Sequence, residues 1–235
     1  MVFNVEQPLL IKLGSEGNMK NLYEKGELYL QTFEYFKNLE KTNDGRGDPD
    51  EYLTKYHAGE GLNGVTFELG VTNNITGETI KYNLSKENGT VSISLDESQK
   101  TFTHLYCMSL NDINAIKKHS TLIFSQNFAD NKDFAVIVFN SKEFVNRIKT
   151  FLENHKYAPA AVGKIRYVNK ENYGGDMGCF CKFDEYAYQN EWRLAVRIPS
   201  NKAEKIHIGS LEDIAFEPIH KDIFLKTQIL FKNVA

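Results

Sequence analysis

Four short runs between residues 65 and 108, VTFELGV, TIKYNL, VSISL and THLYCM, mix apolar and polar residues at strand spacing. They are separated by Asn73-Asn74, Gly77 and Asn88-Gly89. Alternation with a period of two places successive side chains on opposite faces, as a half-buried strand requires and a helix does not allow. Asn-Gly favours the left-handed backbone of a type I′ hairpin turn. The segment therefore predicts an antiparallel β-meander, either part of the core sheet or an inserted hairpin that caps a site.

The flanking segments add strands faster than helices. PLLIKL at 8–13 reads as a first strand, Gly14 and Ser15 open a helix through Met19, Leu22 and Tyr23, and Gly26 ends it. LYLQTF at 28–33 reads as a second strand, and Phe33, Tyr35 and Phe36 seed a short helix ending near Leu39. Residues 111–119 suit a helix, and FAVIVF at 134–139 is a continuous apolar run suited to a central strand. Ser141 caps a helix whose Phe144, Val145, Ile148, Phe151 and Leu152 follow the 3.6 period. Short strands follow at 165–168 and 180–183, then WRLAVRI, KIHIG and a last run at 228–231. Helices do not alternate regularly with strands, which predicts an α+β fold: a mixed, mainly antiparallel sheet with a β-meander and a few packed helices.

With 235 residues, 41% of them hydrophobic, the chain can bury a full core, and residues 1–235 are expected to form one compact domain. The net charge of -3 gives no global field toward nucleic acid or an anionic membrane. The N-terminal residues lack a basic segment followed by a long apolar one, and no window approaches the roughly 18 apolar residues of a membrane span. A cytoplasmic protein is expected. Cys107, Cys179 and Cys181 suit a reducing compartment. The Asn74, Asn83 and Asn88 sequons are read as chance matches.

The main candidate site is YAYQNEWRLAV at 186–196, where an amide, a carboxylate, a guanidinium and the sole tryptophan gather. Read as a strand, it projects Gln189, Glu191 and Arg193 to one face and Trp192 to the other. Glu191 could serve as a general base or steady an oxocarbenium-like centre, with Gln189 orienting a substrate. Alternatively, Glu191 and Arg193 form a cross-strand ion-pair network around a core Trp192.

A second candidate is the turn-rich loop at 41–52, KTNDGRGDPDEY. Around Arg46, its Asp48 and Glu51 either stay solvated or close onto Arg193 as one network. The loop lacks the ligand spacing of a calcium site. Cys179-x-Cys181 would face one side of a strand and could meet Cys107 around zinc, but a fourth ligand is missing, and inert buried thiols are the simpler reading. The six histidines form no i, i+4 pair, and no metal is assigned. The glycine-rich 174–178 segment lacks the Lys-Ser/Thr ending of a phosphate loop and reads as a connector.

The succession KLG, LYEKGELYLQTFEYFKNLE, GRGDPDE, HLYCMSL, FAVIVF and KFDEYAYQNEWRL resembles bacterial and phage proteins of domain-of-unknown-function family 2971 over most of the chain. Gly47-Asp48-Pro49-Asp50-Glu51 stands at that family's acidic turn, and Tyr106-Cys107-Met108-Ser109 at its cysteine strand. Glu191, Trp192 and Arg193 match its closing motif, with Gln189 in place of the first acid. The resemblance implies a role in phage-host conflict. Gln189-x-Glu191 is also similar to the Gln/Glu-x-Glu signature of ADP-ribosyltransferases, whose last carboxylate binds the nicotinamide ribose. Lys12, Thr103 and Ser109 are the nearest matches to the other residues those enzymes need.

Two functions are carried forward. One is ADP-ribosyl transfer or glycohydrolysis on nicotinamide adenine dinucleotide (NAD), with Glu191 as the key carboxylate. The other is a non-catalytic binding module, an inhibitor or sensor that captures a protein or a nucleotide signal. A magnesium nuclease built on Asp48 and Glu51 is a third, more demanding arrangement, because it needs a further ligand.

Overall fold

The computed structural model describes residues 7–39, 50, 53–58, 67–72, 76–77, 79–84, 90–94, 102–112, 116 and 132–224. Strand β1 (Leu9–Gly14) leads into helix α1 (Glu16–Lys25), with Ser15 extended at its N-cap. Gly26 ends the helix with φ 60°, a left-handed conformation that glycine adopts without a Cβ penalty. Strand β2 (Glu27–Thr32) and helix α2 (Phe33–Leu39) follow directly.

Strands β3 (Leu53–His57), β4 (Phe67–Thr72), β5 (Thr79–Leu84), β6 (Val91–Ser94) and β7 (Thr103–Asn111) make up the next stretch. Next come β8 (Phe134–Val138), α3 (Ser141–His155), β9 (Ala160–Lys164), β10 (Arg166–Val168) and β11 (Gly174–Asp176). The chain continues through β12 (Cys181–Phe183), β13 (Glu191–Arg197), β14 (Glu204–His207), β15 (Ile219–His220) and α4 (Lys221–Phe224).

The fold is α+β. Its main sheet runs β14-β2-β7-β1-β8-β15, with β13 joined to β7 and β9 joined to β13. All pairings in this sheet are antiparallel. The segment at 65–108 pairs less locally than its turns suggest. β4 and β5 form a hairpin, but β6 pairs with β3, and β7 crosses into the main sheet. Alternation marks a strand without naming its partner, and here the partner is about 40 residues away for β6. Asn88-Gly89 lies outside the described residues.

One face of the main sheet carries the largest core. Tyr106, Met108 and Leu110 of β7 and Trp192, Leu194 and Val196 of β13 pack there with Met19 and Leu22 of α1 and Phe144, Ile148 and Leu152 of α3. The Phe144 and Trp192 rings lie 6.0 Å apart. Helix α3 keeps the predicted period, but its cap is Asn140, whose Oδ1 accepts from the Glu143 N–H at 3.1 Å, and Ser141 is the first helical residue. A separate cluster, including Leu53, Tyr56, Met177, Cys181 and Phe183, joins β3 to β12.

Several expectations change. Asn111 closes β7 by pairing with Leu9 rather than opening a helix, although Ile116 is helical and its N–H donates to the Asp112 carbonyl at 3.0 Å. Gly174–Asp176 is a strand paired with β3 rather than a connector. The run at 228–231 lies outside the described residues. No helix among the described residues is long and apolar enough to cross a membrane.

Candidate functional site

The site begins with a fork in the sheet. β13 pairs with residues 103–109 of β7. β1 pairs with 109–111 and β2 with 104–105, so both use the edge opposite β13. They part across residues 106–108, with α1 and Gly26 between them in sequence. A ladder opened in this way leaves backbone groups that need other partners. Lys12 provides one: its Nζ donates to the Cys107 carbonyl at 2.6 Å and lies 4.4 Å from the centre of the Tyr106 ring. A cavity of about 580 Å3 lies at the fork, and its lining includes Tyr29, Tyr35, Phe36, Lys182, Glu191 and Arg193.

The polar end is built by strand alternation. Trp192 faces the large core, while Glu191 and Arg193 share the other face, opposite Ser109 and Cys107 of β7. Arg193 is 1% exposed and Glu191 5%. Arg193 Nε and Nη2 each lie 2.7 Å from Glu191 Oε1, and Arg193 Nη1 donates to the Cys179 carbonyl at 2.8 Å. Lys182, 3% exposed, places Nζ 3.0 Å from Glu191 Oε2. The Glu191 N–H donates to the Tyr167 hydroxyl at 2.9 Å.

Gln189 reaches this network by a different route from the one its spacing suggests. It is not on the strand with Glu191 but ends a 3₁₀ turn, Asp184–Gln189, followed by Asn190 at φ 39°. Asn tolerates this left-handed step better than most residues, and here its side-chain amide donates to the Leu110 carbonyl. The Gln189 Oε1 still joins the network, accepting from Lys182 Nζ at 2.9 Å.

Burial pushes the Glu191 carboxyl up, but the charges of Arg193 and Lys182, with hydrogen bonds from the Cys107 thiol and Lys182, outweigh it and hold the group at about 2. A carboxylate so acidic is a poor proton acceptor at neutral pH and acts as a fixed negative charge. Burial, reinforced by that charge, pushes the Cys107 thiol up to about 12, so it stays protonated. Within this group, one carboxylate serves two buried cations.

Among the described lining residues, Lys12, Lys132, Lys182, Arg193 and Lys205 stand against Glu27 and Glu191. Glu27 lies 3.0 Å from Lys205 and 3.4 Å from His207, and the Lys205 hydrogen bond leads in holding its carboxyl below the usual range.

The structure thus brings Lys12, Gln189, Glu191 and Arg193 to one cavity. Arg46, Asp48 and Glu51 lie outside the described residues. Their neighbour Asp50 pairs with Lys170 at 2.8 Å. Cys179 belongs to a 3₁₀ turn, Gly178–Phe180, and Cys181 to β12, so the two thiols do not alternate along one strand. No group of three or more His, Cys, Asp or Glu side chains able to hold a metal occurs among the described residues.

Sequence reasoning missed Lys182, although a lysine inside the apolar run CFCKF was a signal for a buried, partnered cation. It also missed Tyr29 and Tyr35, which carry no mark beyond their residue type. Compared with known proteins, the chain matches no family model, no curated protein and no solved structure.

Proposed function

We propose that this chain is a binding module that captures a phosphate-bearing small molecule, of the nucleotide-signal class, in the forked cavity. The observation that carries this reading is a cavity of about 580 Å3 whose described lining includes Lys12, Lys132, Lys182, Arg193 and Lys205. That volume lies within the roughly 300–1,000 Å3 common for small-molecule sites. Guanidinium and ammonium groups are the usual partners of phosphate oxygens, and low-dielectric walls strengthen their attraction for an anion. In this reading Glu191, held by Arg193 and Lys182, does not meet the ligand as a base. Capture of a nucleotide signal is also a chemically concrete form for a role in phage-host conflict. Titration calorimetry with pyrophosphate tests it: saturable one-to-one binding that weakens with added salt is expected, and no binding at low salt overturns it.

A second reading, NAD glycohydrolysis or ADP-ribosyl transfer, is favoured by the presence of Glu191 and Gln189 on the cavity wall. Glu191 would then act through its fixed charge on the ribose cation as the bond to nicotinamide breaks, with water or an acceptor nucleophile adding at the same carbon. Release of nicotinamide by wild type and not by a folded Glu191→Gln variant is the expected result. No release by wild type removes this reading.

A further inference from the structure

The ladder of β7 has an incomplete rung at Cys107. The Leu110 N–H donates to the Asn190 carbonyl at 2.7 Å and the Ile198 N–H to the Phe102 carbonyl at 3.0 Å, so the even-numbered positions from 102 to 110 turn their backbone groups toward β13. The odd-numbered ones turn theirs the opposite way, toward β1 and β2, as alternation in an antiparallel ladder requires. Cys107 therefore faces the fork with both its N–H and its C=O. Two strands could have completed its rung. Continuing the register two residues beyond Ile11 and Ser109 would bring Leu13 of β1 opposite Cys107, and continuing it two residues beyond Gln31 and Leu105 would bring Tyr29 of β2 there. Neither pairs with it. Leu13 runs on with Ala135 of β8 and Tyr29 with Lys205 of β14, and both line the cavity together with Cys107.

In a closed rung of this kind the partner residue would donate to the Cys107 carbonyl and accept from its N–H. Lys12 Nζ supplies the first bond, at 2.6 Å, and among the described residues none supplies the second. We infer that a phosphate oxygen of the ligand supplies it: the Cys107 N–H donates to the bound phosphate, in the plane of the sheet and beside the Lys12 ammonium. This rests on the anion-binding reading and names a donor for it, while Arg193 and Lys182 stay engaged with Glu191. A backbone N–H fixed by its strand is already aimed, and its bond to an oxyanion is stronger than one to a neutral acceptor. An N–H left unpaired in the sheet costs folding free energy, which a ligand oxygen recovers on binding. The Cys107 thiol takes no part, because it donates to Glu191.

Amide hydrogen exchange of the isotope-labelled full chain, followed by NMR with and without pyrophosphate, tests it, and calorimetry on the same sample reports whether pyrophosphate binds. In the free protein the Cys107 amide is expected to exchange about tenfold or more faster than the bonded Leu110 amide. Saturating pyrophosphate is expected to slow Cys107 about tenfold or more relative to Leu110, the scale of one hydrogen bond to a charged group, and to move its amide proton downfield. Referring the rate to Leu110 removes any general stabilisation by the ligand. A Cys107 amide as protected as Leu110 in the free protein overturns the inference, since the rung is then already complete. Pyrophosphate binding that leaves the exchange and the resonance of Cys107 unchanged overturns it too, while leaving the anion reading intact. Absence of pyrophosphate binding at low salt overturns both.

Discussion

Lys12 Nζ donates to the Cys107 carbonyl at 2.6 Å, across 95 positions of sequence, at the point where β1 and β2 part along the edge of β7. The ammonium takes a place that an uninterrupted ladder would give to a backbone N–H, and it does so inside the cavity lining. The opened sheet is thus tied together by a cation that also lines the cavity.

The Lys182, Glu191 and Arg193 group predicts an asymmetry between substitutions. Glu191→Gln leaves two buried cations facing a neutral amide and should cost about 3–5 kcal/mol. Lys182→Met, similar in shape, keeps the contact between Glu191 and Arg193 and should cost less than about half as much. Urea denaturation of both variants checks the order, and the reverse order contradicts the description of Glu191 as the shared counter-ion.

The same carboxylate predicts acid sensitivity. Glu191 is held at about 2 in the folded protein, against an ordinary value of 4.5. Above about pH 4.5 it is ionised in both folded and unfolded chains, and its stabilising contribution is fully present. Between there and about pH 2 the unfolded chain takes up a proton that the folded chain refuses, so stability falls as pH falls. Wild type should therefore lose stability across this window more steeply than Glu191→Gln, as followed by denaturant midpoints at stepped pH. Parallel pH profiles would contradict the assignment.

Gly26 predicts an effect of backbone geometry rather than of charge. An added Cβ would collide with the Gly209 carbonyl oxygen at a residue whose φ is 60°. The Ile208 N–H donates to the Gly26 carbonyl at 3.1 Å, so the two turns cannot separate without losing that bond. Gly26→Ala should cost at least about 2 kcal/mol, combining strain and clash. A melting temperature equal to that of wild type would contradict this.

Tyr106 predicts a substitution that does no harm. Its hydroxyl is buried with no hydrogen-bond partner among the described residues, and burial pushes its pKa far up, so it stays protonated. Tyr106→Phe keeps the ring beneath Lys12 and removes the unsatisfied group, so it should be neutral or stabilising by about 1 kcal/mol. Clear destabilisation in urea denaturation would show that the hydroxyl has a partner.

What the sequence made legible follows the range of the forces involved. The period of Phe144, Ile148 and Leu152 marked α3, and the alternation of Glu191, Trp192 and Arg193 assigned their faces, because both patterns are written in adjacent residues. The fork was hidden, since nothing in PLLIKL or HLYCMSL says that β1 and β2 share one edge of β7. Gln189 kept its place in the network while losing its place on the strand, because the αL step at Asn190 has no pattern beyond a single Asn. β6 shows the same limit: its alternation was visible, but its pairing with β3 depends on a distant segment.

The account's central claim, that the forked cavity is a cation-built site for a phosphate-bearing ligand, is tested most directly by titrating wild type and Lys12→Met with ADP at rising salt. One-to-one binding by wild type, weakening as salt rises and falling about tenfold or more in Lys12→Met, is predicted. Absence of binding by wild type at low salt, or binding that neither salt nor Lys12→Met affects, would contradict the claim.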